Sequence, residues 1–271
     1  MRSPLTLVFL IFTFFQALAQ QNIRLATWNL QHFGSSKHDS TVAFIAGTLR
    51  TFDVIALQEV VGKTGPAAVN RLINTLNTGQ AGNPWKASVS PVTTGSPSES
   101  DRYAFIWNSR TVSAVGTPQL ESRYADLIVR EPYTASFSVR GFNFTVVNFH
   151  AVPKTRQPES EIKYLKEFPA RYASQRLVFL GDFNVPQTNT VFNPLKSQGY
   201  RPALKKQKTS LKMKCVSNDC LASEYDNIFY SATHFKVLRS GVVHFYRAFP
   251  DLTAARKVSD HIPVFIEFAI P

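Results

Sequence analysis

The run Leu177-Val178-Phe179-Leu180 passes directly into Gly181-Asp182-Phe183-Asn184, and no other junction constrains the fold as strongly. It sends a fully apolar strand into a carboxylate and a carboxamide two residues apart. If the extended backbone persists, Asp182 and Asn184 lie on one side of a sheet and face one ion or one phosphate. The same order recurs elsewhere. Asp53-Val54-Ile55-Ala56-Leu57-Gln58-Glu59 ends in a carboxylate and Phe144-Thr145-Val146-Val147-Asn148-Phe149-His150 in an imidazole, while Ser259-Asp260-His261 stands just before Ile262-Pro263-Val264-Phe265-Ile266. Polar groups placed repeatedly at strand ends read as one assembled site, because sheet proteins collect ligands at those edges.

Residues 1–20 have the form of a signal peptide. Arg2 supplies the positive start, Leu5 to Phe15 is almost unbroken apolar sequence, and Ala17-Leu18-Ala19 offers small residues for cleavage near residue 19 or 20. The apolar stretch is shorter than the roughly 20 residues a bilayer span needs, so a secreted or periplasmic chain without stable membrane insertion is expected. Residues 21–271 then form one domain, since no Gly/Ser linker or charge block divides the apolar runs. The whole chain carries a net charge of +12; setting Arg2 aside leaves 29 basic against 18 acidic side chains. That excess favours a polyanionic partner. Cys215 and Cys220 read as a short disulfide loop in an exported chain; two free thiols, or a zinc site lacking a nearby histidine pair, are the alternatives.

Hydrophobic periodicity predicts a strand over 23–29, a helix over 40–51 with Ser40 as a cap, a strand over 54–58 and a helix over 64–78. Strands follow at 103–107, 112–117, 133–139 and 143–149, the last two flanking a tight turn at Arg140-Gly141. A third helix is predicted over 158–172 ahead of the 177–181 strand, and further strands at 225–230, 237–243 and 262–268. The passage 186–224 is less regular; its Lys205, Lys206, Lys208, Lys212 and Lys214 read as a solvated loop or as contacts along a phosphate backbone. Many strands and few helices point to an α/β protein with two packed sheets and helices outside.

Asn29, Glu59, Asp182, Asn184 and Asp260 supply oxygen donors of the kind that hard divalent ions such as Mg²⁺ or Mn²⁺ select. His150 and His261 lie beside apolar strands, where an imidazole needs partners for both nitrogens. A carboxylate would orient each ring in acid–base chemistry. Asp226 suits that task, although spacing leaves open which ring it meets.

These motifs resemble the endonuclease/exonuclease/phosphatase superfamily and, within it, the secreted deoxyribonuclease I branch. The correspondence runs through Thr27 to Gly34, Ala56 to Val60, Asp101 to Phe105, Arg130 to Pro132, Asn148 to Pro153, Gly181 to Asn184, Tyr225 to Ile228 and Ser259 to Val264. The resemblance implies a four-layer sandwich of two mixed β-sheets flanked by helices. It makes Glu59 the principal metal carboxylate, assisted by Asn29 and Asp260, with Asp182 and Asn184 contacting metal or scissile phosphate. His150 and His261 become the catalytic histidines, partnered by Asp101 and Asp226, and Arg130 a substrate-phosphate contact. The implied activity is hydrolysis of DNA with little sequence specificity, leaving 5′-phosphate and 3′-hydroxyl ends, by a monomer that uses Mg²⁺ or Mn²⁺ and a structural Ca²⁺.

Three departures bear on the substrate. Asp101 stands where the family has glutamate, one methylene shorter; Glu99 and Val61 replace a tyrosine and an arginine that touch DNA. RNA therefore falls within the expected substrate range. A phosphomonoesterase or a phospholipid-type phosphodiesterase on the same core is the competing expectation, and a catalytically silent binding protein a third.

Overall fold

The computed structural model describes residues 21–95, 101–172 and 176–271; the expected signal peptide and Glu99 lie outside the described residues. In chain order, the first strands are β1 (Asn22–Phe33), β2 (Val54–Val60), β3 (Trp85–Val89), β4 (Arg102–Asn108), β5 (Ser113–Leu120), β6 (Tyr133–Val139) and β7 (Phe142–His150). They continue as β8 (Leu177–Asp182), β9 (Tyr200–Pro202), β10 (Leu211–Val216), β11 (Asp219–Leu221), β12 (Asp226–Ser231), β13 (Lys236–Val242) and β14 (Val264–Ala269). One sheet has the order β13-β14-β1-β2-β4-β3, the other β5-β6-β7-β8-β12-β9, and β10 with β11 forms a separate hairpin.

Each six-stranded sheet has a parallel pair at its centre, β1 with β2 and β7 with β8, flanked on both sides by antiparallel neighbours, β14 and β4 in one sheet and β6 and β12 in the other. The C-terminal ends of the parallel strands therefore meet the starts of the antiparallel ones along one edge of the sandwich. In register, His150 pairs with Asp182, and Asp182 pairs with Asp226.

Alternation along the strands builds the layers. Ile23, Leu25, Val54, Ala56, Phe144, Val146, Val178, Leu180 and Ile228 pack between the sheets. The intervening Ala26, Trp28 and Leu57 pack instead against α1 (Asp39–Leu49) and α2 (Gly65–Asn77), through Val42, Ile45, Val69 and Leu72. Val147, Phe149 and Phe179 cover the opposite outer face together with Leu165 and Phe168. The result is the predicted four-layer sandwich. Burying one such side chain contributes about 1.5–3 kcal/mol, so three apolar layers supply most of the cohesion.

Two sequence expectations need correction. The helix over 158–172 is instead α3 (Glu159–Ile162), a 3₁₀ segment (Lys163–Glu167) and α4 (Phe168–Arg171). Pro169 has no N–H to bond back into a continuing helix, so the chain tightens and restarts with proline in the first turn, where no donor is required. Ser40 is not a cap. The α1 helix begins at Asp39, and the Asp39 carboxylate lies 2.9 Å from Arg71 on α2, stapling the two helices. The irregular passage 186–224 holds α5 (Asn193–Ser197), β9 and the β10–β11 hairpin, closed by the Cys215–Cys220 disulfide. Among the described residues no helix is long and apolar enough to cross a membrane.

Candidate active site

The inward-facing positions that make the inter-sheet core turn polar near one edge. After Leu25, Ala56 and Val146, the next inward positions are Thr27, Gln58 and Asn148, all buried. Gln58 Nε2 donates to Thr27 Oγ1 at 2.9 Å and to Asn148 Oδ1 at 2.6 Å, and Asn148 Nδ2 donates to the Leu57 carbonyl at 3.1 Å. This ladder ties the two sheets together directly beneath the site. Gln58→Leu would strand two buried acceptors, so unfolding free energy is expected to fall by about 1–3 kcal/mol, read by urea denaturation.

One further step brings the first carboxylates. Asn29 Nδ2 donates to Glu59 Oε1 at 2.9 Å and to Asp182 Oδ2 at 3.1 Å, holding one acid from each sheet on a single nitrogen. Glu59 reaches this position because its backbone is left-handed, at φ 57°. The irregularity breaks alternation, so that Leu57 and Val60 both face the helices and the carboxylate turns to the sandwich edge. Burial alone would raise the Glu59 pKa; nearby His150, the Asn29 amide and the His32 N–H outweigh it and hold the group below the usual glutamate value. Asp182 Oδ1 accepts from the Asn184 N–H at 3.0 Å, and Asn184 Nδ2 donates to the Ala151 carbonyl at 3.0 Å. Asp182 and Asn184 thus sit on one local turn.

The two imidazoles flank Asp182. His261 Nε2 lies 3.6 Å and His150 Nε2 3.8 Å from the same Asp182 Oδ2. Their far nitrogens differ. His261 Nδ1 is 2.7 Å from Asp226 Oδ2, and Thr209 Oγ1 donates to that same oxygen at 2.7 Å while accepting from the N–H groups of Tyr225 and Asp226. Burial disfavours the His261 imidazolium, yet Asp226 and Asp182 overcome that penalty and hold its pKa well above the ordinary histidine value. Asp101 Oδ2 stands 3.4 Å from His150 Nδ1, and that buried nitrogen makes no hydrogen bond. The His150–Asp101 contact is thus looser than the His261–Asp226 one.

The remaining predicted residues lie around this centre. Arg130 is buried; its Nε donates to the His150 carbonyl at 3.1 Å, its Nη2 to the Ala151 carbonyl at 2.6 Å, and Nη1 lies 3.9 Å from Asp101. Its neighbour Glu131 bonds Thr94 rather than Arg130. Asp260 sits on the flank, where Oδ2 accepts from Gln31 Nε2 at 3.0 Å and lies 3.3 Å from Arg256. Lys37, which sequence reasoning missed, donates to the Val258 and Lys257 carbonyls just ahead of Ser259-Asp260-His261. Burial lowers its pKa to about 8, against the pull of Asp260 and Glu59. Thr209 and Gln58 were missed as well. Gln58 stood inside a motif read only for its terminal acid, and Thr209 lay hidden among lysines.

Asp182, Asp226 and His261 present three ligand atoms within 4.8 Å of one another, and Asp226 Oδ1 is buried without a hydrogen-bond partner. Asp182 also belongs to the acid pair on Asn29, and because Asp226 and His261 are engaged with each other, it is the Glu59 and Asp182 carboxylates that fit a hard divalent ion. The pattern described as the Endonuclease/Exonuclease/phosphatase family matches residues 26–261, a span that reaches from β1 to His261 itself. The chain belongs to the endonuclease/exonuclease/phosphatase family. Among relatives of this family, a protein named "Deoxyribonuclease" from Thioalkalivibrio sp. is 29% identical, covering 96% of this chain and 74% of that one. Two solved structures from Bacteroides thetaiotaomicron share the fold. One, an endonuclease/exonuclease/phosphatase family protein, has TM-score 0.67 and 17% identity, covering 93% of this chain and 99% of that one. The other, a mannosyl-6-phosphatase, has TM-score 0.65 and 18% identity, covering 92% and 100% respectively. The chain has the metal-dependent phosphoester-hydrolase fold of this family.

Proposed function

We propose that the protein is an exported, divalent-metal-dependent nuclease that hydrolyses DNA phosphodiester bonds with little sequence specificity, leaving 5′-phosphate and 3′-hydroxyl ends. The observation that carries this reading is the pair of imidazoles converging on one Asp182 oxygen, each backed by its own carboxylate. Hydrolysing a phosphodiester requires one group to take a proton from water and another to give one to the departing alkoxide. Two histidines on either side of the phosphate-facing acid supply both.

In this reading His261, oriented by Asp226, and His150 divide the two proton transfers, one ring taking a proton from the attacking water and the other giving one to the 3′ oxygen. Asn184 and Arg130 orient the phosphate. Glu59 and Asp182, with Asn29 and Asp260 beside them, would hold Mg²⁺ or Mn²⁺, which supplies charge neutralisation on the phosphoryl oxygens. The name of the Thioalkalivibrio relative and the positive net charge both support a DNA substrate. The apolar start of the chain supports export.

The test is nicking of supercoiled plasmid in Mg²⁺, with and without Ca²⁺. Plasmid nicking that stops when a chelator is added is the expected result. Intact plasmid together with turnover of phosphomonoesters or phospholipid-type diesters would replace the DNA reading with the competing one.

A further inference from the structure

A second basic feature lies at the far edge of the β12-containing sheet. A cleft of about 670 Å³ is lined by Lys196, Tyr200, Arg201, Lys205 and Tyr230, with Gln187 at its margin and no acidic side chain in its wall. Arg201 and Lys205 are exposed, and among the described residues neither has an ion-pair or side-chain hydrogen-bond partner. Lys196 is tied to the Gln187 carbonyl at 2.5 Å, which leaves its charge uncompensated. Burial, and then the positive charge of Lys205, lower its pKa. Three cations converging on one concave surface without an acid create a site that gains from an anion. Tyr200 and Tyr230 add aromatic surface beside them.

The cleft is connected to the reaction centre by the chain itself. Lys205, Lys206 and Lys208 lead from it to Thr209, whose hydroxyl holds Asp226. Strand β12 covers the same interval, from Asp226 at the site to Tyr230 at the cleft. Four strand residues span about 13 Å. One strand of a B-form duplex advances 3.4 Å per nucleotide, so this corresponds to about four nucleotides.

We propose that the cleft and the Lys205–Lys208 segment form an auxiliary subsite for the backbone phosphates of a nucleic-acid strand, about four nucleotides from the scissile bond. The subsite rests on the nuclease reading for its ligand, but its geometry is independent of the histidine dyads. Lys208 also lies 3.0 Å from Asp219, so the uncompensated charge is concentrated on Lys196, Arg201 and Lys205, of which Arg201 and Lys205 are the exposed pair.

The test uses the Arg201→Glu/Lys205→Glu double variant beside Arg201→Gln/Lys205→Gln, with thermal melting to confirm folding. Binding of a fluorescein-labelled oligonucleotide is followed by anisotropy in chelator, where no cleavage occurs, and steady-state kinetics are run on long DNA and on bis(p-nitrophenyl) phosphate. The expected result is oligonucleotide binding weakened about 10-fold or more and KM for long DNA raised. The slope of log binding constant against log salt should be shallower by about 1.5, two phosphate contacts at about 0.7–0.9 each. Turnover of the small diester should be unchanged. Oligonucleotide affinity and salt slope equal to wild type would overturn the subsite, as would wild-type protein that binds no oligonucleotide. Charge-dependent binding to phosphatidylglycerol vesicles in place of the oligonucleotide would also overturn it. If the oligonucleotide result holds but wild-type protein cuts no nucleic acid, the nuclease reading fails while the binding subsite stands.

Discussion

His261→Ala is expected to lower kcat on DNA by about 10³-fold, within the 10²–10⁴ range that a positioned acid or base contributes. The ring is held on both sides, by Asp226 at 2.7 Å through Nδ1 and beside Asp182 at 3.6 Å through Nε2, so its removal eliminates one of the two fixed proton-transfer groups. Asp226→Asn should follow with a loss of about 10² or more, because an amide fixes neither the tautomer nor the developing imidazolium. Asp101→Asn should cost much less. Its 3.4 Å approach to His150 makes no hydrogen bond, so the carboxylate orients that ring weakly. Rapid-quench or steady-state plasmid nicking at saturating metal measures all three. An Asp101→Asn loss equal to that of Asp226→Asn would refute the asymmetry of the dyads.

Gly181→Ala is expected to be the most damaging single-methyl addition in the chain. Gly181 has φ +135°, a backbone conformation that side-chain-bearing residues avoid, and an added Cβ would lie 1.9 Å from the Phe149 carbonyl oxygen. Phe149 is its register partner on β7, so the central parallel pair must separate to admit the methyl. Backbone strain of about 1–3 kcal/mol and overpacking of about 1–3 kcal/mol combine to a loss of about 4 kcal/mol. For a chain of this size that lowers Tm by about 8–16 °C, measured by circular dichroism. His150 and Asp182 are the next register pair, so activity should fall even at temperatures where the variant remains folded. A variant melting within about 3 °C of wild type would rule out the close approach as a stability determinant.

The two tests probe opposite sides of one construction. The strands that bury Val178 and Leu180 between the sheets also carry Asp182 to their edge, and those that bury Phe144 and Val146 carry His150 there. Site geometry and core packing therefore share register. A displacement within the core moves His150 and Asp182 with it.

Much of this was legible in the primary structure, because period-two alternation and abrupt apolar-to-polar junctions are local. Two packed sheets with helices outside, the strands bearing Glu59, His150 and Asp182, and the polar groups at their ends follow from neighbours a few residues apart, whereas the four-layer sandwich was implied by the family resemblance. The 158–172 helix is broken for an equally local reason: Pro169 cannot continue the backbone bonding that the apolar spacing would otherwise sustain. Long-range partnerships were decided only by the tertiary structure. Which acid meets which histidine depends on residues 35 positions apart for Asp226 and His261, the first opening β12 in one sheet and the second just ahead of β14 in the other, so only the packing of the two sheets brings them together. The Thr209 clamp, the Gln58 ladder between sheets and the left-handed turn that aims Glu59 leave no periodic trace. Sequence determined which chemical groups were available and on which strand ends they would stand. Tertiary packing determined their mutual distances, because burial and register, rather than proximity along the chain, bring charged side chains within hydrogen-bonding reach.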